Sequence, residues 1–298
     1  MFPRSRYILI QLALVVALGI SACGSLAGTP ATPTLVVPSA TPLPPTPTPP
    51  PLAATVNDEW ITEADLQAEV ERYRAAQQSL GNDISAEDAA KVVLDDLIAQ
   101  VLLAQAARAE GFEITEADLR ARIDALASQL GGMDALTAWQ SDHGYTDESF
   151  RFTLKRAVEA AWMRDKIIAA VPGTAEQVHA RQILLYNDET ARKVADQLKA
   201  GADFEELAVL YDPNTGGELG WFPRGYLLEP ELENAAFNMQ PGEFSDVIAT
   251  EVGYHIILVV ERDLEHALSP DAYLVMQEKA LQDWLRQKRA ESDIVLDP

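Results

Sequence analysis

Apolar residues spaced three and four apart run from residue 57 to residue 171, and the rhythm changes after Pro172. Leu66, Val70 and Tyr73 share one helical face; so do Val93, Leu97 and Val101, and then Leu119, Ile123, Leu126 and Leu130. Phe150, Leu154, Val158 and Trp162 recur every four residues. Such spacing marks amphipathic helices. "TEAD" at Thr62–Asp65, "SAED" at Ser85–Asp88 and "TEAD" at Thr115–Asp118 each place a hydroxyl at an N-cap and a carboxylate three residues on. The hydroxyl satisfies a free N–H of the first turn, and the carboxylate suits the positive helix end. Gly111 and Gly131 stand where helices end, and Pro172 closes the segment. The pattern predicts a helical domain over residues 53–172 with little strand. No titratable cluster interrupts its faces, so packing is its expected role. His143, in "SDHGYTD", reads as a surface or capping residue.

Beyond Pro172 the pattern predicts an α+β domain over residues 177–262. "VHARQILLY" reads as a strand, "ETARKVADQLKAG" and "DFEELAVLY" as short helices, and "EPELENAAF" as another. "GEFSDVIATEVGYHIILVVER" reads as two strands joined by a turn near Gly253. A last helix is expected over 269–290, opened by Ser269, Pro270 and Asp271 and striped by Tyr273, Met276, Ala280 and Trp284.

The N-terminus changes the picture of where this body sits. Arg4 and Arg6 precede an uncharged apolar run, Tyr7–Ile20, too short for a comfortable membrane span. "ISAC", ending at Cys23, resembles a bacterial lipobox; an ordinary secretory signal is the other reading. A lipoprotein signal is thus expected over 1–22, with Cys23 lipidated. Residues 23–52 carry that site and a stretch of proline and threonine without charge. This composition favours extended polyproline II, and gives a stalk of about 75 Å. The expected location is extracytoplasmic, lipid-anchored to the bacterial cell membrane. Cys23 is the only cysteine, so neither a disulfide nor a thiol nucleophile is available to the body. The formal charge of -23 disfavours nucleic acid, whose phosphates would be repelled. Neutral or basic unfolded chains fit better, although acidity also supports solubility.

"LKAGADFEELA", "GGELGWFPRG", "ENAAF" and "PGEFSDVIATEVGYHIILVVER" stand in order between Gln177 and Arg262. Together they resemble the parvulin family of peptidyl-prolyl isomerases. The order of signal, helical domain, parvulin-like domain and final helix further resembles the extracytoplasmic folding factors of the PrsA and SurA type. The resemblance implies a small antiparallel sheet flanked by helices, beside a SurA-like helical chaperone domain on which the last helix packs. It implies clients that are unfolded exported polypeptides with X-Pro segments, and no cofactor or metal.

From its strand alone His255 reads as a structural residue at a strand mouth. The family pattern makes it a site residue. Thr250 matches the hydroxyl that supports it, and Asp212 a cysteine or aspartate position. Leu219, Leu228 and Leu232 match the apolar cup for the proline ring, with Leu227 in place of Leu228 if the alignment slips by one. The departure is Gln182, which stands in "ARQIL" where the family has a second histidine. His179 is no substitute: strand side chains alternate, so 178, 180 and 182 share one face and 179 points to the other unless a bulge intervenes. Glutamine hydrogen-bonds but does not titrate. Two readings result: an isomerase and folding chaperone, with activity reduced by Gln182, or a non-catalytic holdase whose parvulin-like domain only binds peptides. A passive surface protein would explain the stalk but not the four blocks. No arginine–lysine cluster suits a phosphorylated residue.

Overall fold

A computed structural model describes residues 50–296. The expected leader, Cys23 and the proline-rich segment up to residue 49 lie outside the described residues. The chain divides into two compact units. One comprises the described residues of Met1–Val101 and Asp293–Pro298 together with Ile114–Ala157; the other comprises Leu102–Glu113 and Val158–Ser292.

In the first unit, β1 (Leu52–Val56), β2 (Glu59–Thr62) and β7 (Ile294–Leu296) form an antiparallel sheet ordered β2-β1-β7. The sequence pattern gave no sign of these strands. Asn57 turns the chain between β1 and β2 at φ 53, a left-handed conformation that asparagine tolerates. Its N–H donates to the Asp293 carbonyl at 2.6 Å, and its side-chain oxygen accepts from the Asp293 N–H at 2.9 Å. The helices α1 (Glu63–Ser79), α3 (Glu116–Leu130) and α4 (Met133–Asp142) belong here, with parts of α2 (Ala86–Ala109) and α5 (Asp147–Ala169). Thr62, Ser85 and Thr115 cap α1, α2 and α3 as expected, each accepting the N–H three residues on. His143 is the C-cap of α4. Tyr145 is pushed up to about 12, chiefly by burial and then by the Glu69 carboxylate, which it hydrogen-bonds.

The second unit has a helical part and a sheet. In the helical part, Leu103, Ala104 and Ala107 of α2 pack with Ala160 and Met163 of α5, and Leu281, Trp284 and Leu285 of α9 (Pro270–Ala290) lie against them. The last helix thus packs on helices of the N-terminal half. Phe112 and Trp162 stack at 4.8 Å. The buried Glu159 carboxylate pairs with Arg108 at 2.5 Å. The sheet is antiparallel, ordered β4-β3-β6-β5: β3 (Thr174–Leu185), β4 (Glu218–Pro223), β5 (Ile248–Ala249) and β6 (Tyr254–Ala267). One face packs on α6 (Asp188–Lys199) and α7 (Phe204–Tyr211) through Ile183, Leu185 and Ile256. The other packs on α8 (Pro230–Asn238) through Val178, Ala180, Ile257 and Val259. This is the expected α+β arrangement of a small sheet flanked by helices. Among the described residues no helix is long and apolar enough to cross a membrane.

Candidate functional site

The register of three strands assembles the site. In the β3–β6 ladder Gln182 lies opposite Ile257 and Leu184 opposite His255; in β5–β6, Ile248 lies opposite His255. Directly opposed residues share a sheet face. Gln182 and His255 are therefore diagonal neighbours on the α8 face, and Thr250, two residues beyond Ile248, continues the same alternation. The side chains meet. His255 Nδ1 lies 2.9 Å from Gln182 Oε1, and His255 Nε2 lies 2.9 Å from Thr250 Oγ1. The Gln182 oxygen only accepts, so Nδ1 carries the proton and Nε2 accepts from the Thr250 hydroxyl. The Thr250 oxygen in turn accepts from the Val252 N–H at 3.2 Å. His255 is only 3 % exposed, and burial holds its imidazole below the usual histidine range. The ring is thus neutral and fixed in one tautomer.

Two glycines make the placement possible. The Gln182 N–H donates to the Gly217 carbonyl at 2.7 Å, and a Cβ on Gly217 would lie 1.9 Å from the Gln182 carbonyl oxygen. Only glycine allows that approach, and its φ of 70 also favours glycine. Gly253, at φ 153, closes the Thr250 turn: its carbonyl accepts from the Thr250 N–H at 2.8 Å.

Asp212 ends α7 and turns back on its own loop. It accepts from the N–H groups of Asn214 and Thr215, at 3.1 and 3.2 Å, and from the Thr215 hydroxyl. The Thr215 hydroxyl first, and then the backbone N–H groups, hold its carboxyl below the usual range. These bonds order the loop that carries Gly217; they do not run to His255.

The apolar cluster beneath the site contains Leu232, Phe222 and Phe237, with Leu219, Leu227 and Ile248 packed against it. Leu219 is the extra residue of a bulge, because Ala180 pairs with Gly220 and Arg181 with Glu218. Of the two alternatives at the next position, Leu227 joins the cluster, whereas Leu228 is 79 % exposed. His179 points to the other face, as strand alternation requires. It pairs with Glu218 at 2.5 Å and stacks on Trp221, which stacks on His266 at 4.0 Å. The β3–β6 ladder does shift at His179, but the extra residue is Val260 on β6, so β3 keeps its alternation.

A cleft of about 470 Å³ opens beside Thr250, lined by Glu229, Pro230, Glu231, Ala249, Thr250 and Glu251. The sequence pattern did not single out these carboxylates, since nothing local ties residues 229–231 to 251. Among the described residues no group of three His, Cys, Asp or Glu side chains is placed to hold a metal ion.

Comparison with known proteins gives concordant matches. Residues 180–261 match the rotamase family described as PPIC-type PPIASE domain, and residues 8–160 the family described as SurA-like N-terminal domain. A foldase protein PrsA of Halalkalibacterium halodurans is 29% identical over 270 residues, covering 83% of this chain and 78% of its own. A foldase protein PrsA of Geobacillus kaustophilus is 31% identical over 186 residues, covering 59% of this chain and 64% of its own. Among solved structures, a peptidylprolyl isomerase (PrsA) from Bacillus cereus matches at 22% identity and a TM-score of 0.42, covering 78% of this chain and 84% of that one. With the SurA-like match running over more than half of its 298 residues, and the rotamase match falling on the sheet that joins Gln182 to His255, the chain belongs to the family of SurA-like proteins that carry a PPIC-type peptidyl-prolyl isomerase domain.

Proposed function

We propose that this chain isomerises X-Pro bonds in polypeptides folding outside the cytoplasm, holds such clients as a chaperone, and is tethered to the membrane by a lipid on Cys23. The observation that carries the reading is the hydrogen-bonded run Thr250–His255–Gln182 on a sheet face backed by apolar side chains.

The chemistry asks for little else. Rotation about a peptide bond faces a barrier of about 18–20 kcal/mol that arises from partial double-bond character. No covalent bond is broken and no proton is moved, so a site works by holding the twisted amide better than either planar form. The cluster of Leu219, Leu227 and Leu232 supplies an apolar seat for the proline ring, and Leu228 is no part of it. Desolvation there weakens the charge-separated resonance form that keeps the amide planar. His255, with both ring nitrogens hydrogen-bonded, holds Thr250 and Gln182 in fixed orientation next to that seat. Gln182 does not titrate, yet it fixes the ring as an acceptor should, which is why its presence is compatible with turnover. Asp212 acts at one remove, by ordering the loop whose Gly217 grips the Gln182 backbone. The helical domain (residues 53–172), the isomerase domain (177–262) and the returning helix (269–290) form the division of labour in this reading.

The full-length protein decides it. We expect measurable acceleration of cis–trans exchange in short X-Pro peptides, and an acyl-modified Cys23 as the mature N-terminus by mass spectrometry. A folded protein that accelerates none of them would make the domain a peptide-binding unit only. An unmodified mature N-terminus would remove the lipid anchor.

A further inference from the structure

Of the leucines in the apolar seat, Leu232 is buried, so a ring arriving from solvent meets Leu219 and Leu227, which are half-buried. Leu219 belongs to β4 and is held by the sheet. Leu227 stands in the connection between β4 and α8, where no ladder or helix fixes it. Two other elements hold that loop. From α8, one oxygen of the Glu233 carboxylate accepts from three successive backbone N–H groups: Gly225 at 2.7 Å, Tyr226 at 3.0 Å and Leu227 at 3.3 Å. Successive N–H groups that converge in this way make an anion-binding concavity, and a charged acceptor roughly doubles the strength of each bond. The second element is α9, which lies against Gly225. A Cβ there would stand 2.6 Å from Lys279 Cδ and 3.7 Å from Met276 Cε, and the φ of 89 also favours glycine. The Lys279 ammonium pairs with Asp283 at 2.7 Å, which lays its aliphatic stem along the helix. At 3.6 residues per turn, Met276, Lys279 and Asp283 share one side of α9, and Leu281, Trp284 and Leu285, which pack on α2 and α5, lie nearly opposite.

We infer that Glu233 is a positioning residue of the isomerase site: together with the stem of Lys279 it sets where Leu227 stands, and so makes the grip on the proline ring depend on the helix that returns to α2 and α5. The ligand, an X-Pro segment, is that of the isomerase reading above, on which this rests. The ring stays seated while the peptide bond turns, so Leu227 touches it in the planar and the twisted amide alike. A displaced Leu227 therefore weakens both to the same extent, which raises KM and leaves kcat nearly unchanged. A purely structural Glu233 would behave differently: its loss would lower the folded fraction and leave KM of the folded molecules as it was. Lys279 acts through packing, because its ammonium is engaged with Asp283 while its stem covers Gly225.

The test uses full-length variants and short Ala-Pro peptides, with folded fraction, KM, kcat and peptide affinity by titration each measured. Glu233→Ala should raise KM about tenfold, near the lower end of what a lost methylene costs in a hydrophobic pocket, with kcat per folded molecule within about twofold of wild type. Glu233→Gln keeps an acceptor without the charge and should raise KM about threefold; it decides the matter where Glu233→Ala fails to fold. Lys279→Ala should raise KM about threefold, the scale of one methylene of packing, and Lys279→Met, which keeps an unbranched stem, should return it to the wild-type value. Ile256→Ala is the structural control: its folded fraction falls and its KM stays. Unchanged KM in the folded Glu233 variants overturns the inference. Unchanged KM in Lys279→Ala, or a Lys279→Met as impaired as Lys279→Ala, overturns the part assigned to α9. If peptides bind but none is turned over, the isomerase reading fails, and the dissociation constants of the same variants still decide the role of Glu233. No binding of any peptide by the folded wild type overturns both.

Discussion

The two faces of the β4-β3-β6-β5 sheet are made by alternate residues of the same strands and are filled differently. Toward α6 and α7, Ile183, Leu185 and Ile256 meet Val194, Leu198 and Phe204, and the core is apolar throughout. Toward α8, the apolar cluster of Ile257, Val259 and Leu232 is bordered by Gln182, His255 and Thr250. Fully burying an aliphatic side chain contributes about 1.5–3 kcal/mol. A buried polar group that loses its partner instead costs about 1–3 kcal/mol. Leucine would thus be the more stabilising choice at these positions. The second face gives up stability for an oriented polar edge, which is where function is expected to depart from the best packing.

The largest effect should separate the faces outright. Ile256→Ala, in the closed core, is expected to lower unfolding free energy by about 2–5 kcal/mol while turnover per folded molecule stays near wild type. Leu232→Asp, on the other side, should abolish turnover in whatever fraction remains folded. Urea titration and the proline assay on both variants check this; a loss of turnover in Ile256→Ala with folding intact would erase the contrast.

A second, smaller change sharpens the polar face. Gln182→His restores the paired imidazoles of the family and should raise turnover about tenfold, or about 1.4 kcal/mol of transition-state stabilisation. Its effect on stability should be minor, since the position is half-buried and keeps a hydrogen-bonding side chain. Unchanged turnover in a folded variant would mean that Gln182 is already an adequate partner.

The smallest effect is on pH dependence. Burial disfavours the His255 imidazolium, so the folded chain releases that proton at lower pH than the unfolded chain. Between the two values the unfolded state binds more protons. Stability is therefore full above about pH 6.5 and is lost as pH falls through the folded value. His255→Gln should flatten this part of the stability profile, read as the urea midpoint at several pH values. Parallel profiles for variant and wild type would show that the ring is not desolvated in solution.

Much of this was legible because its causes are local. The caps at Thr62, Ser85 and Thr115 lie three residues from the N–H groups they satisfy, and the alternation from Val178 to Gln182 put His179 and Gln182 on opposite faces. What escaped has distant or loop-borne causes. The strands Leu52–Val56 and Ile294–Leu296 are too short to show a period, and they are stabilised by each other. The α4 helix begins at Gly132 without a side-chain cap, so no start signal announced it. Leu227 and Leu228 sit in a loop, where no alternation says which turns inward. Asp212 matches the family's cysteine or aspartate position in sequence, but its contacts depend on how the loop to Gly217 closes.

The pairing of Asn57 with Asp293 joins residues 236 positions apart. A chain made N-terminus first presents β1 and β2 early, yet β1 finds its second neighbour only when residues 294–296 arrive. Until then one edge of β1 keeps its backbone N–H and C=O groups open to any strand nearby. The β4-β3-β6-β5 sheet, whose strands lie within residues 174–267, is complete before that moment, so a nascent molecule passes through a stage with its isomerase sheet closed and its first sheet unfinished. Residues 294–296 thus act as a latch on assembly, and their removal should be felt in how cleanly the protein matures rather than in the site itself.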